Sequence, residues 1–168
     1  MTAVDEAKSV LEELLAKMGL DAQVAATDDG ERVTLDVSGP ETGLVIGKKG
    51  ATLDALQYLT NKIVSQRIDD ENESKPINVD CEGYRSRRAE ALIELAHRLA
   101  DKARRTGRPV AADPMSPADR RVIHVALADA EGLTTRSEGE GIHRHLVIIP
   151  TGAASDSDSS STEDESAK

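Results

Sequence analysis

The chain has 168 residues, room for two small domains but not for a large enzymatic scaffold. It contains no Phe, no Trp and two Tyr, so the aromatic platforms on which many nucleic-acid binders stack bases cannot be built from it. The formal net charge is −10; the single cysteine, Cys81, excludes an internal disulfide and no secretory or transmembrane segment is legible, so a cytoplasmic protein is expected.

The first element is a helix over residues 3–18. Val4, Ala7, Val10, Leu11, Leu14, Leu15 and Met18 recur at helical spacing, a Thr2-x-x-Asp5 capping box opens the run and Gly19 closes it. Two alternating runs, 22–27 and 32–37, flank Asp28-Asp29-Gly30 and read as a β-hairpin. A short helical stretch follows Pro40. Beyond a glycine loop, Leu53, Leu56, Leu59, Thr60, Ile63 and Val64 fall on one helical arc, and residues 77–81 read as a third strand. Tyr58 lies off that arc, where packing against a neighbouring element is expected.

The loop itself is Gly47-Lys48-Lys49-Gly50. Glycine reaches positive φ and lets another backbone approach closely, while the helix that follows presents unpaired N–H groups and partial positive charge. With two lysines added, the turn is suited to a phosphodiester backbone. The competing reading is a plain turn with solvated lysines.

The order α-β-β-α-loop-α-β, with Val45-Ile46-Gly47-Lys48-Lys49-Gly50-Ala51-Thr52-Leu53, resembles a type II KH domain over residues 1–82. The resemblance implies that Gly47, Lys48, Lys49 and Gly50 clamp the backbone of a short single strand. It also makes Ile46, Leu53, Leu56 and Val79 candidates for an apolar groove that takes the bases. Core packing is the competing role for these four.

Residues 84–106 form a long helical pattern, ended near Gly107 and Pro109. From Arg85 to Arg108, eight Lys/Arg face three Asp/Glu, a local +5 on an acidic chain. Arg87, Arg88, Arg104, Arg105 and Arg108 have few acidic neighbours and are auxiliary candidates for phosphate contact; Glu94 and Arg98 form an i,i+4 pair. Tyr84, at the start of this helix, is a candidate linker contact. Charge is polarised elsewhere too: residues 1–46 carry −7 and 47–67 carry +3.

Ser116-Pro117-Ala118-Asp119 marks a helix start, with Ser116 as cap and Pro117 at the first helical position. On this helix Val122, Ile123, Ala126, Leu127 and Ala130 make a buried stripe. Arg120 and His124, four residues apart, lie at its border and can act on one ligand; Arg121 adds a further auxiliary charge. The Arg-x-x-x-His pair, followed by Arg136-Ser137-Glu138-Gly139-Glu140-Gly141 and Arg144-His145-Leu146-Val147-Ile148-Ile149, resembles the R-3-H domain (Arg, three residues, His) over residues 83–150. That resemblance implies a three-stranded sheet with helices, strands near 110–112, 133–137 and 146–149, and single-stranded nucleic acid bound through Arg120 and His124. A buried, hydrogen-bonded His124 is the competing reading.

A KH domain followed directly by an R-3-H domain resembles the Jag (SpoIIIJ-associated) family of bacterial proteins, without the separate N-terminal domain with which many members begin. The fold class is α+β. The resemblance implies a cytoplasmic single-stranded RNA binder, an RNA chaperone or post-transcriptional regulator linked to cell elongation and envelope homeostasis, with a small KH-only protein as partner. Single-stranded DNA as ligand, and a protein adaptor whose KH domain mainly dimerises with that partner, stay open. No enzyme activity, cofactor or metal is expected: His143 and His145 lack further ligands at metal spacing, and the carboxylates have no nucleophile beside them. Residues 151–168, rich in Ser, Asp and Glu, read as a disordered acidic tail whose carboxylates either compete with phosphate for the basic sites or simply aid solubility.

Overall fold

A computed structural model describes residues 2–68 and 75–151. Apart from Thr151, the expected acidic tail lies outside the described residues. The described residues fall into two compact units that divide within one helix, between Leu92 and Ile93, rather than before that helix.

In the first unit, α1 (Ala3–Lys17) opens on the capping box, with Thr2 Oγ1 accepting from the Asp5 amide and Asp5 Oδ2 from the Thr2 amide. It closes in a Schellman turn: Leu20 N–H donates to Leu15 O and Gly19 N–H to Ala16 O. Met18 is thereby the C-cap and stands exposed rather than on the apolar face. Strands β1 (Gln23–Asp28) and β2 (Val33–Ser38) form the expected hairpin, and β3 (Ile77–Cys81) pairs parallel to β2. The hairpin turn is held by its carboxylates. Asp28 accepts from Lys75 Nζ and the Gly30 amide, Asp29 from the Glu31 and Arg32 amides, and both carboxyls are held below their usual value of 3.8.

Between β2 and β3 run α2 (Thr42–Ile46), a 3-10 turn (Lys48–Gly50) and α3 (Ala51–Arg67), giving the α-β-β-α-loop-α-β order. One face of the sheet, Val33, Leu35 and Val37 with Ile77, Val79 and Cys81, packs into a core with Leu11 and Leu15 of α1 and Leu53, Leu56 and Val64 of α3. Leu59, expected on this arc, is 43% exposed, and Tyr58, expected to pack, is 62% exposed with the Lys62 ammonium 5.9 Å from its ring centroid. The buried line of α3 runs Leu53, Leu56, Thr60, Val64, and both side chains fall outside it. Cys81 is fully buried, which pushes its thiol up to about 11 and keeps it protonated and inert at neutral pH.

The outer edge of β3 is sealed by side chains. Asn61 takes the Ile77 amide on Oδ1 and donates Nδ2 to the Ile77 carbonyl, while Gln57 Oε1 takes the Val79 amide. An edge satisfied in this way cannot add another strand there.

Helix α4 (Tyr84–Thr106) carries the chain into the second unit. There β4 (Val110–Ala111), α5 (Pro117–Ala126), β5 (Leu133–Glu138) and β6 (His145–Pro150) follow, with sheet order β4-β6-β5, all antiparallel. The continuous apolar run of β6 is explained by its central place: Leu146, Val147 and Ile148 are all buried, so both of its faces are covered. Among the described residues no helix is long and apolar enough to cross a membrane.

Candidate nucleic-acid interface

In the first unit the site is the loop between α2 and α3. Gly47 ends α2, its N–H bonded to Gly43 O, and turns the chain at φ 69, ψ −173, a region essentially open to glycine alone. Lys49 (φ 55) and Gly50 (φ 84) are left-handed, so three of the four loop residues have positive φ. The turn is tight. A Cβ on Gly47 would stand 2.1 Å from Thr52 Oγ1, and one on Gly50 would stand 2.9 Å from Tyr84 Cε1.

Lys48 and Lys49 are both placed at the tip of this turn, and both are exposed. Gly50 is the N-cap of α3 and offers no side-chain cap, while the Gly50 and Ala51 amides are taken by the Gly47 and Lys48 carbonyls. The one acidic residue of the first turn, Asp54, is ion-paired to Arg85 at 2.9 Å. Positive potential at the loop is thus left uncancelled by that carboxylate.

The candidate groove residues divide. Leu53, Leu56 and Val79 are 0%, 3% and 0% exposed and belong to the core, so they cannot meet a base without opening it. Ile46 is half-buried beside the loop, and Leu44, which sequence reasoning passed over, is 60% exposed on the same short helix. Apolar surface next to the loop therefore comes from α2. Leu44 could have been found from the sequence: Val45 occupies the inward position of a five-residue helix, leaving its neighbour outward.

Of the basic run on α4, Arg85 is a structural residue. Its guanidinium donates to the Val79 carbonyl, to Asp54 and to Gln57. Arg87 donates to the Glu82 carbonyl and Arg88 is half-buried. Further along, Arg104 donates to the Glu131 carbonyl and sits 3.8 Å from Asp101. The Glu94–Arg98 pair forms at 3.9 Å, but both side chains are exposed and it contributes little. Arg105, Arg108 and, on α5, Arg121 are exposed and form no ion pair with a described residue.

In the second unit Ser116 caps α5 by accepting from the Asp119 amide, and Pro117 occupies the first turn, which sets the phase of the helix. Arg120 and His124 then face alternate residues of β5: Arg120 donates to Ser137 Oγ at 2.9 Å, and His124 Nδ1 lies 2.6 Å from Thr135 Oγ1. With Arg121, Pro117 and Leu146 these residues line an open groove of about 490 Å³. His124 is exposed, so the buried-histidine reading fails, although the hydrogen bond is present. Arg120 keeps a buried Nε without a partner. A buried donor left unmatched costs about 1–3 kcal/mol. His145 bonds through Nδ1 to the His143 carbonyl, and among the described residues no three His, Cys, Asp or Glu side chains form a metal cluster.

The chain matches two family models, the KH domain of KhpA/KhpB over residues 5–72 and the R-3-H domain over 90–150. Neither is a family of enzymes. It is similar to proteins named RNA-binding protein KhpB: 38% identical to that of Clostridium symbiosum over 88% of this chain and 66% of the relative, and 33% identical to that of Bacillus subtilis (strain 168) over 86% and 69%. The relative from Lactiplantibacillus plantarum is 34% identical over 88% of this chain but 45% of its own length. The chain thus spans about two thirds or less of the relatives it matches. The KH fold with its Gly47–Gly50 loop, the Arg120/His124 groove and these matches together place the chain in the KhpB family, also called Jag.

Proposed function

We propose that this chain binds single-stranded RNA with two linked sites. The carrying observation is the loop: Lys48 and Lys49 at the tip of a positive-φ turn at the uncapped start of α3, with the carboxylate of that helix's first turn already paired to Arg85. Phosphates would lie on the Gly47–Gly50 loop, with bases over Ile46 and Leu44. Arg120 and His124 take a second stretch of backbone, and Arg105, Arg108 and Arg121 add electrostatic attraction. With no aromatic platform each site binds weakly, and tethering the two raises their effective concentration for one strand. The relatives, which are named RNA-binding proteins, support RNA as the ligand.

In the cell this reading makes the protein an RNA chaperone or post-transcriptional regulator, acting in cell elongation and envelope homeostasis. A small KH-only partner fits the exposed Tyr58 and Leu59 on α3 better than the sealed edge of β3. The ligand class is tested by competition. Against a labelled single-stranded RNA, unlabelled RNA should displace at least about fivefold better than DNA of the same sequence at matched salt, because the shared electrostatic term cancels. Equal displacement would make single-stranded DNA an equal ligand and reject the RNA assignment.

A further inference from the structure

We propose that Tyr84 and Arg85, the first two residues of α4, are positioning residues for the phosphate-binding loop. The inference rests on the reading of Gly47–Gly50 as an RNA site and extends it into residues 73–89, a stretch outside both family matches.

Two contacts carry it. The Tyr84 ring lies directly against Gly50: a Cβ there would be 2.9 Å from Cε1 and 3.2 Å from the hydroxyl. Gly50 is both the last loop residue and the N-cap of α3, so the ring is a floor that fixes how deep the loop sits. Tyr84 is itself half-buried against the first unit's core, which restricts its movement. Arg85 acts beside it as a clamp. Its Nε donates to Val79 O at 2.8 Å, one terminal nitrogen to Asp54 at 2.9 Å and the other to Gln57 Oε1 at 3.2 Å, joining β3 to the first two turns of α3. The Arg85 amide also donates to Asp80 Oδ1 at 3.1 Å.

The approach to these residues is equally fixed. Glu82 (φ 49) and Gly83 (φ 71) reverse the chain after β3, and the Glu82 amide is held by Asp36 Oδ1 of β2 at 3.0 Å. The start of α4 thus delivers a ring to the underside of the loop and a three-way fork to β3 and the first two turns of α3. It also neutralises the Asp54 charge close to where a phosphate would approach. The RNA-binding module therefore ends within α4 and not at the end of β3.

The test uses the full chain and a fluorescently labelled single-stranded oligouridylate. Tyr84→Ala should weaken binding about tenfold, while Tyr84→Phe, which keeps the ring, should stay within about twofold. In a Lys48→Ala/Lys49→Ala background, Tyr84→Ala should add less than about twofold, because the contacts it positions are already gone. If Tyr84→Ala does not fold by circular dichroism, Tyr84→Leu serves for the same comparison. Equal losses in both backgrounds, with the lysine variant itself impaired, would overturn the positioning role alone. Unchanged affinity in the lysine variant would overturn the loop's role and this proposal with it.

Discussion

Replacing Gly47 by alanine is expected to destabilise the first unit by about 2–4 kcal/mol and to remove most RNA binding by the loop. The backbone at φ 69, ψ −173 is strained for any L-residue, and the new Cβ would sit 2.1 Å from Thr52 Oγ1 and 3.0 Å from the Thr52 amide nitrogen. Thr52 is β-branched and lies in the first turn of α3, so relief requires the helix start to shift. Gly43, four residues earlier, is the internal control. It is helical, and a Cβ added there would meet nothing within 4 Å. Gly43→Ala should therefore stabilise by about 0.5–1 kcal/mol, since alanine loses less backbone freedom on folding. Chemical denaturation of the two variants measures the difference, and similar behaviour would show that the loop is not conformationally special.

Leu56→Ala should cost about 2–5 kcal/mol of stability and leave RNA affinity near wild type at temperatures where the variant is folded. The side chain is 3% exposed in the core, so its loss removes buried surface and leaves a cavity rather than taking away a base contact. Ile46→Ala should do the reverse, with a smaller stability change and a weaker RNA complex, because Ile46 is half-buried at the loop. Thermal unfolding followed by RNA titration separates the two. A Leu56→Ala protein that is stable but binds RNA poorly would return Leu56 to the groove.

These two positions also show what the sequence could reveal. Helices and strands were legible where local chemistry decides them: the Thr2/Asp5 box, the Ser116-Pro117 start, the alternation of Val33, Leu35 and Val37, and the unbroken apolar run of β6. The glycine loop was legible because positive φ calls for glycine at fixed places. Core and groove were not distinguishable, since an apolar residue on an amphipathic helix has the same periodicity whether it meets another side chain or a base. Leu53 and Leu56 turned inward, and Leu59 and Tyr58 turned out.

Arg85 was hidden for a different reason. Counted along the chain it is one more charge in a basic helix, yet its partners Asp54 and Gln57 are 31 and 28 residues away, and only the fold brings them together. The same holds for Tyr84 beneath Gly50 and for the hydroxyls of Thr135 and Ser137 that orient His124 and Arg120. The spacing of Arg120 and His124 gave their shared face; the strand that holds them carried no signature of its own.

The two-site grip is tested most directly by RNA affinity across four proteins: wild type, Lys48→Asp/Lys49→Asp, Arg120→Ala/His124→Ala, and all four substitutions together. Each pair should weaken single-stranded RNA binding at least about tenfold, and the lysine pair should lower the salt dependence by about 1–2 in slope, as expected when two phosphate contacts are lost from a single strand. The combined variant should bind more weakly than either pair, because neither remaining surface can tether the strand for the other. A combined variant that folds and binds RNA as wild type does would contradict the assignment of both sites.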